Sequence, residues 1–221
     1  GLPVDASAQA RATLLGNRAA FAMDLGNRAE ALAAAQEAVA LFHNLANGQP
    51  SIFGADLVGS HINLAAMLSA HGRREESLAA AQDAVAICRG LIRKRPGTLK
   101  GELAMSLNNL ANGLRELGQG EAALVAVQEA VALYRDLSLG RPLTFRPGLG
   151  MALNNRALML GDLGRHEQAL DAAQEAVDIY RDLAQAQPDA FRPDIAMSLA
   201  NLAKVLSELG KCEQAFNAAQ E

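Results

Sequence analysis

The stretch Ser106 to Tyr134 reads SLNNLANGLRELGQGEAALVAVQEAVALY. Apolar residues recur at helical spacing on both sides of a Leu-Gly pair, which predicts two amphipathic helices folded back at a turn. Working outward, the same pattern fills the chain. The turn glycine recurs at Gly26, Gly72, Gly118, Gly164 and Gly210, each 46 residues after the last. An asparagine keeps that step at Asn17, Asn63, Asn109, Asn155 and Asn201, and a glutamine at Gln36, Gln82, Gln128, Gln174 and Gln220. Three markers in one register identify an internal repeat, and a period of this size marks stacked helical units. The units fall at about 1–50, 51–96, 97–142, 143–188 and 189–221, the last incomplete, in one array without an internal domain boundary.

Composition agrees. The 221 residues are 50% hydrophobic but only 4% aromatic, which suits helices packed closely along one direction rather than around one large core. Twenty Lys+Arg stand against 24 Asp+Glu, and no basic stripe is present to meet phosphates, so a nucleic-acid partner is not expected. No leader or long uninterrupted apolar run is seen, so no membrane association is expected. The two cysteines show no pairing pattern, and Cys88 takes the place of Phe42, Tyr134 and Tyr180 in other units, as core filler. A reducing, cytoplasmic setting follows.

Along the chain, a first helix from near Asp5 to about Leu25 precedes a second from about Arg28, where Ala31, Ala35, Ala38, Phe42 and Leu45 share a face. Pro50, Pro96, Pro142 and Pro188 stop each second helix. Phe53, Leu99, Phe145 and Phe191, three residues later, read as plugs that hold an ordered corner, with Pro147 or Pro193 opening the next helix. Small residues also keep the register: Ala19, Ala65, Ala111, Ala157, Ala203; Ala31, Ser77, Ala123, Ala169, Ala215; and Ala38, Ala84, Ala130, Ala176. They mark a seam where helix axes approach closely. The fifth unit stops within its second helix, which predicts an incompletely covered face at Leu199, Leu202, Leu206 and Phe216, and end-to-end self-association or fraying there.

A small residue inside the first helix, a turn glycine, an alanine opening the second helix, another seven later and a closing proline resemble the tetratricopeptide repeat over essentially the whole chain. The longer unit and the string Leu107 to Ala111 resemble kinesin light chain repeats; Ala-rich units of this length also resemble sensor arms of bacterial and fungal signalling ATPases. The resemblance implies an all-α, right-handed superhelical solenoid of antiparallel helix hairpins that acts as a protein-interaction scaffold. The alternatives are a spacer or oligomerisation arm without a peptide ligand, and a ligand-sensing arm of a larger regulator. Two departures stand out: the family's aromatic in helix one is Leu15, His61, Leu107, Leu153 or Leu199, and Arg18 and Arg156 replace a leucine. Units one and four would then pack less tightly or offer those arginines to a partner.

Chemistry is sparse. His43, His61, His71 and His166 fall at unrelated places, so no catalytic residue, metal ligand or cofactor is assigned and no enzyme is expected. Gly148 and Gly150 flank a helix start and form no phosphate loop. In tetratricopeptide arrays the free face of helix one lines a concave groove. By that resemblance Asn17, Asn63, Asn109, Asn155 and Asn201 form a ladder whose amides, donors and acceptors at once, can pair with the backbone of an extended peptide. Met105, Asn108, Asn112, Met151, Asn154, Met197 and Lys204 would flank it. The competing reading has each asparagine bracing its own scaffold. Only Arg115 and Lys204 supply positive charge nearby, against Asp24, Glu116, Asp162 and Glu208, which favours a neutral or mildly basic segment.

Overall fold

Each hairpin begins at its turn. At Gly26 the backbone is left-handed (φ 75°); its N–H donates to the Met23 carbonyl at 2.9 Å, and the Asn27 N–H donates to the Ala22 carbonyl at 2.8 Å. This is a Schellman end, which satisfies carbonyls left free where a helix stops. The pair recurs at Gly72, Gly164 and Gly210. A Cβ at Gly26, Gly72 or Gly164 would meet nothing within 4 Å, so the positive φ, not lack of space, demands glycine.

The structure, a computed structural model, describes residues 4–220, with side chains from Ala6 onward, and divides after Leu117 into two compact units. Gly1 to Pro3 and Glu221 lie outside the described residues. In unit 1 the helices are α1 (Val4–Asp24), α2 (Arg28–Gly48), α3 (Pro50–Ala70), α4 (Arg74–Lys94) and α5 (Lys100–Glu116). Here α3 packs against α1, α2, α4 and α5. Unit 2 holds α6 (Gly120–Gly140), α7 (Pro142–Asp162), α8 (His166–Ala186), α9 (Pro188–Glu208) and α10 (Cys212–Gln220), each packed on the next, with α7 also on α9. No strand occurs among the described residues.

The corners are tighter than the sequence reading. Gln49, Arg141 and Gln187 are single residues between helices, and Pro50, Pro142 and Pro188 open α3, α7 and α9 at their first turn. A missing N–H is harmless there. Pro147 and Pro193 therefore do not open helices; they lie inside α7 and α9. Each deprives one carbonyl of its helical donor, that of Leu143 or Asp189, and both residues are exposed, so water can serve instead. The exception is Pro96-Gly97-Thr98-Leu99, a true loop, with φ 92° at Gly97 and 56° at Leu99. Accordingly Phe53, Phe145 and Phe191 are helical rather than loop plugs. Phe53 is buried beside Phe42 and Leu57, and the Phe191 ring lies 6.3 Å from that of Tyr180.

The small-residue seam is buried except at Ala203 and Ala215, which are half-buried: Ala19, Ala31, Ala84, Ala111, Ala123, Ala130, Ala169 and Ala176 have no exposed surface. In unit 2, Gly148 and Gly150 belong to α7, not to its flank. A Cβ there would stand 2.6 Å from the Tyr134 ring and 2.7 Å from the Tyr180 ring, so the two glycines seat rings from α6 and α8. The Tyr180 hydroxyl donates to the Pro147 carbonyl at 3.1 Å. Cys88 is fully buried, and burial pushes its thiol up to about 11. The helix α3 is long and apolar enough to cross a membrane, yet half of that window is buried in the fold. In the last hairpin, Leu199, Leu202 and Leu206 are buried but line a cleft of about 500 Å³ with residues of α8 and α10, and Phe216 is exposed.

Candidate functional site

The helices α1 and α3 pack side by side, and their stripes Thr13, Gly16, Asn17, Ala20 and Ala55, Asp56, Gly59, Asn63 line one cleft of about 420 Å³. Steps of three and four place each stripe on one face. Gly16, Ala20, Ala55 and Gly59 leave the floor low, so the exposed Asn17 and Asn63 amides stand above it. Ser60 donates inward to the Leu57 carbonyl at 2.8 Å. Asp56 and Glu102 bring negative charge, and no Lys or Arg lines the cleft. Partial burial raises the Asp56 carboxyl above its ordinary range.

Of the remaining ladder, Asn109 on α5 is half-buried in unit 1; Asn155 on α7 and Asn201 on α9 are half-buried in unit 2. Met105 and Met197 are exposed, Met151 and Asn112 half-buried, and Lys204 pairs with Glu208 at 3.8 Å. Two flank assignments are corrected. Asn108 and Asn154 are 2% and 1% exposed and belong to the packing side. Asn154 Nδ2 donates to Ser198 Oγ at 2.7 Å, and that hydroxyl donates to the Asp194 carbonyl, tying α7 to α9. Arg18 is exposed and meets Glu30 at 2.6 Å, whereas Arg156 is half-buried with its Nε unpaired.

The histidines are not all unrelated. His43 on α2 and His61 on α3 line a second cleft in unit 1 with Asp83 on α4. Three helices bring them together, so no spacing announces it; the signal in the sequence was His61 standing where four other units carry leucine. Among the described residues, no group of three or more His, Cys, Asp or Glu could hold a metal.

One tetratricopeptide-repeat family model matches residues 102–182 and 151–221, and a second matches residues 62–91. With more than half of its length matched, the chain belongs to the tetratricopeptide-repeat family. A model described as anaphase-promoting complex subunit 5 matches residues 7–47. No curated protein matches the sequence. Among solved structures, BtubC (BKLC) from P. vanneervenii is similar at TM-score 0.75 and 19% identity, over 96% of this chain and 78% of that one. A kinesin light chain-like protein of Podospora anserina with nearly identical TPR-like repeats gives 0.58 and 19%, over 96% and 92%. A Rap protein complexed with Competence and Sporulation Factor gives 0.62 and 14%, over 96% and 62%.

Proposed function

We propose that the chain is a protein-interaction module that holds an extended, neutral or mildly basic peptide segment along the first helices of its hairpins. One observation carries this reading: Asn17 and Asn63 stand exposed over a single cleft that has acidic residues and no cationic lining. Amides one repeat apart can pair with separate backbone groups of an extended chain, while Asp56 and Glu102 attract a basic side chain. The factor-bound Rap protein, similar in fold, supports it. Two free cysteines, one buried, fit a reducing cytoplasmic setting.

The test is Asn17→Ala with Asn63→Ala, assayed on peptides selected from a random display library with the full chain. Both residues are exposed, so helicity and melting should hold. Affinity should fall about 30-fold, from roughly 1 kcal/mol for each neutral hydrogen bond. Lost stability with unchanged affinity would make the asparagines braces and favour a spacer.

A further inference from the structure

In unit 2 the second helices α6 and α8 are tied across their groove by Arg135 and Glu175 at 2.5 Å. The guanidinium and its three-carbon arm come from α6 and the carboxylate from α8. Ninety-two residues earlier, two repeats back, the same positions are His43 and Asp83. A second tie, Arg146 to Asp182 at 2.7 Å, maps onto Gly54 and Gly90. Unit 1 thus keeps the acid of the first tie and has lost the cationic arm, and it has lost both members of the second.

What stands there is a cleft of about 710 Å³ between α2, α3 and α4. Its walls are mostly apolar, with Val39, Leu57 and Ile87 among them, and the polar side chains of Gln36, His43, Asn44 and Asn47 also line it. Asp83 is its one charged residue. At that end lies a second anomaly: His61, 8% exposed, replaces the buried Leu153 of unit 2, and its Nδ1 has no hydrogen-bond partner. The nearest acid, Asp83 Oδ2, is 4.0 Å away, too far for a hydrogen bond. A mostly apolar cleft that holds one carboxylate and a buried imidazole nitrogen without a hydrogen bond is not a packing solution.

We infer that this cleft is a binding site for a guanidinium or alkylammonium group on a short aliphatic arm, which takes on Asp83 the place that Arg135 occupies on Glu175. The arm lies against Val39, Leu57 and Ile87, and the cation pairs with the carboxylate beside His61. The group comes from a free small molecule or from an arginine or lysine side chain of a polypeptide. The site lies on the face of α3 opposite the asparagine cleft and does not depend on it.

The probes are n-propylguanidine, its neutral isostere n-propylurea, and N-acetylarginine N-methylamide, titrated into the full chain and read from the imidazole NMR signals of His43 and His61. Saturable binding of n-propylguanidine with a Kd on the order of 1 mM is expected for so few atoms. Asp83→Asn should weaken it about tenfold, as removal of a charged hydrogen-bond partner does. His43→Arg with Asp83→Glu, which rebuilds unit 2's own tie, should abolish it while helicity is kept. If the double variant does not fold, the exposed Asp83→Asn decides alone. Tighter binding of the arginine amide than of n-propylguanidine identifies a polypeptide source, and the reverse a free metabolite. Equal shifts with n-propylurea, no saturable shift with either cation, or binding that survives Asp83→Asn unchanged would overturn the inference.

Discussion

His61→Leu should stabilise the protein, although it removes a buried polar side chain from a native core. The equivalent residues Leu15, Leu107, Leu153 and Leu199 are all buried, between 0% and 8% exposed, so the backbone at this register accepts leucine. In place of that leucine the protein buries an imidazole whose Nδ1 has no partner, which costs about 1–3 kcal/mol. Taking about 1.5 kcal/mol as recovered, and about 2–4 °C per kcal/mol for a chain of this size, the melting temperature should rise about 3–6 °C at pH 7.5. Acid should widen the gap. Burial lowers the His61 pKa below the ordinary 6.5, against the opposing pull of Asp83 and with a smaller push from His43. Between the ordinary and the lowered value the unfolded chain takes up a proton that the folded one refuses, so wild-type stability falls as pH drops through that window. Because His43 and Asp83 remain in both proteins, the excess acid sensitivity of the wild type reports His61. Repeat proteins need not unfold in one step. Thermal melts at pH 7.5 and 5.5 should therefore be paired with hydrogen exchange of the α3 amides. A variant that melts lower than wild type at pH 7.5, or that keeps the full acid sensitivity, would refute the reasoning.

Two further expectations test the scaffold. Gly164→Ala has open space for its methyl group but φ 71°, so it should destabilise by about 1–2 kcal/mol through backbone strain alone, measurable by denaturant melts. Ala157→Leu meets the opposite obstacle: at 1% exposed in the seam it should cost about 1–3 kcal/mol through overpacking, with earlier urea unfolding and faster exchange in α7.

The hairpins were legible because their constraints repeat. A left-handed C-terminus needs glycine and a close helix approach needs alanine, each time at the same step, so Gly26 to Gly210 and Ala19 to Ala157 announce themselves. The corners were less legible, because a proline that stops one helix serves equally as the first residue of the next. Only Pro96, followed by the left-handed Gly97, keeps the loop that the sequence suggested. The site was half-legible for a similar reason. In Leu107-Asn108-Asn109-Leu110 two adjacent amides point about 100° apart, and periodicity did not separate the exposed-side register from the buried one. Asn154 with Ser198 shows that a polar pair can belong to the packing side.

The divergence between repeats carries more functional information than their agreement. Positions that every unit shares, the turn glycine and the seam alanines, must be shared because each hairpin solves the same packing problem. Positions where one unit breaks the pattern answer to something else. On α3 the break is His61, where the other four units carry leucine. Asp56, whose register also holds Glu102 and Asp194, faces the asparagine cleft, and His61, the counterpart of Leu153, faces the cleft with Asp83. Residues 54, 57 and 61 lie about half a helical turn away from 56, 59 and 63. The helix that packs against the most neighbours in unit 1 therefore carries the asparagine cleft on one side and a mostly apolar cleft with Asp83 on the other. The equivalent helix α7 spends the same positions on seating Tyr134 and on the Arg146 tie. Unit 2 is built at these positions for cohesion, whereas in unit 1 the Leu91 side chain fills the space beside Gly54 and Asp56 faces the asparagine cleft.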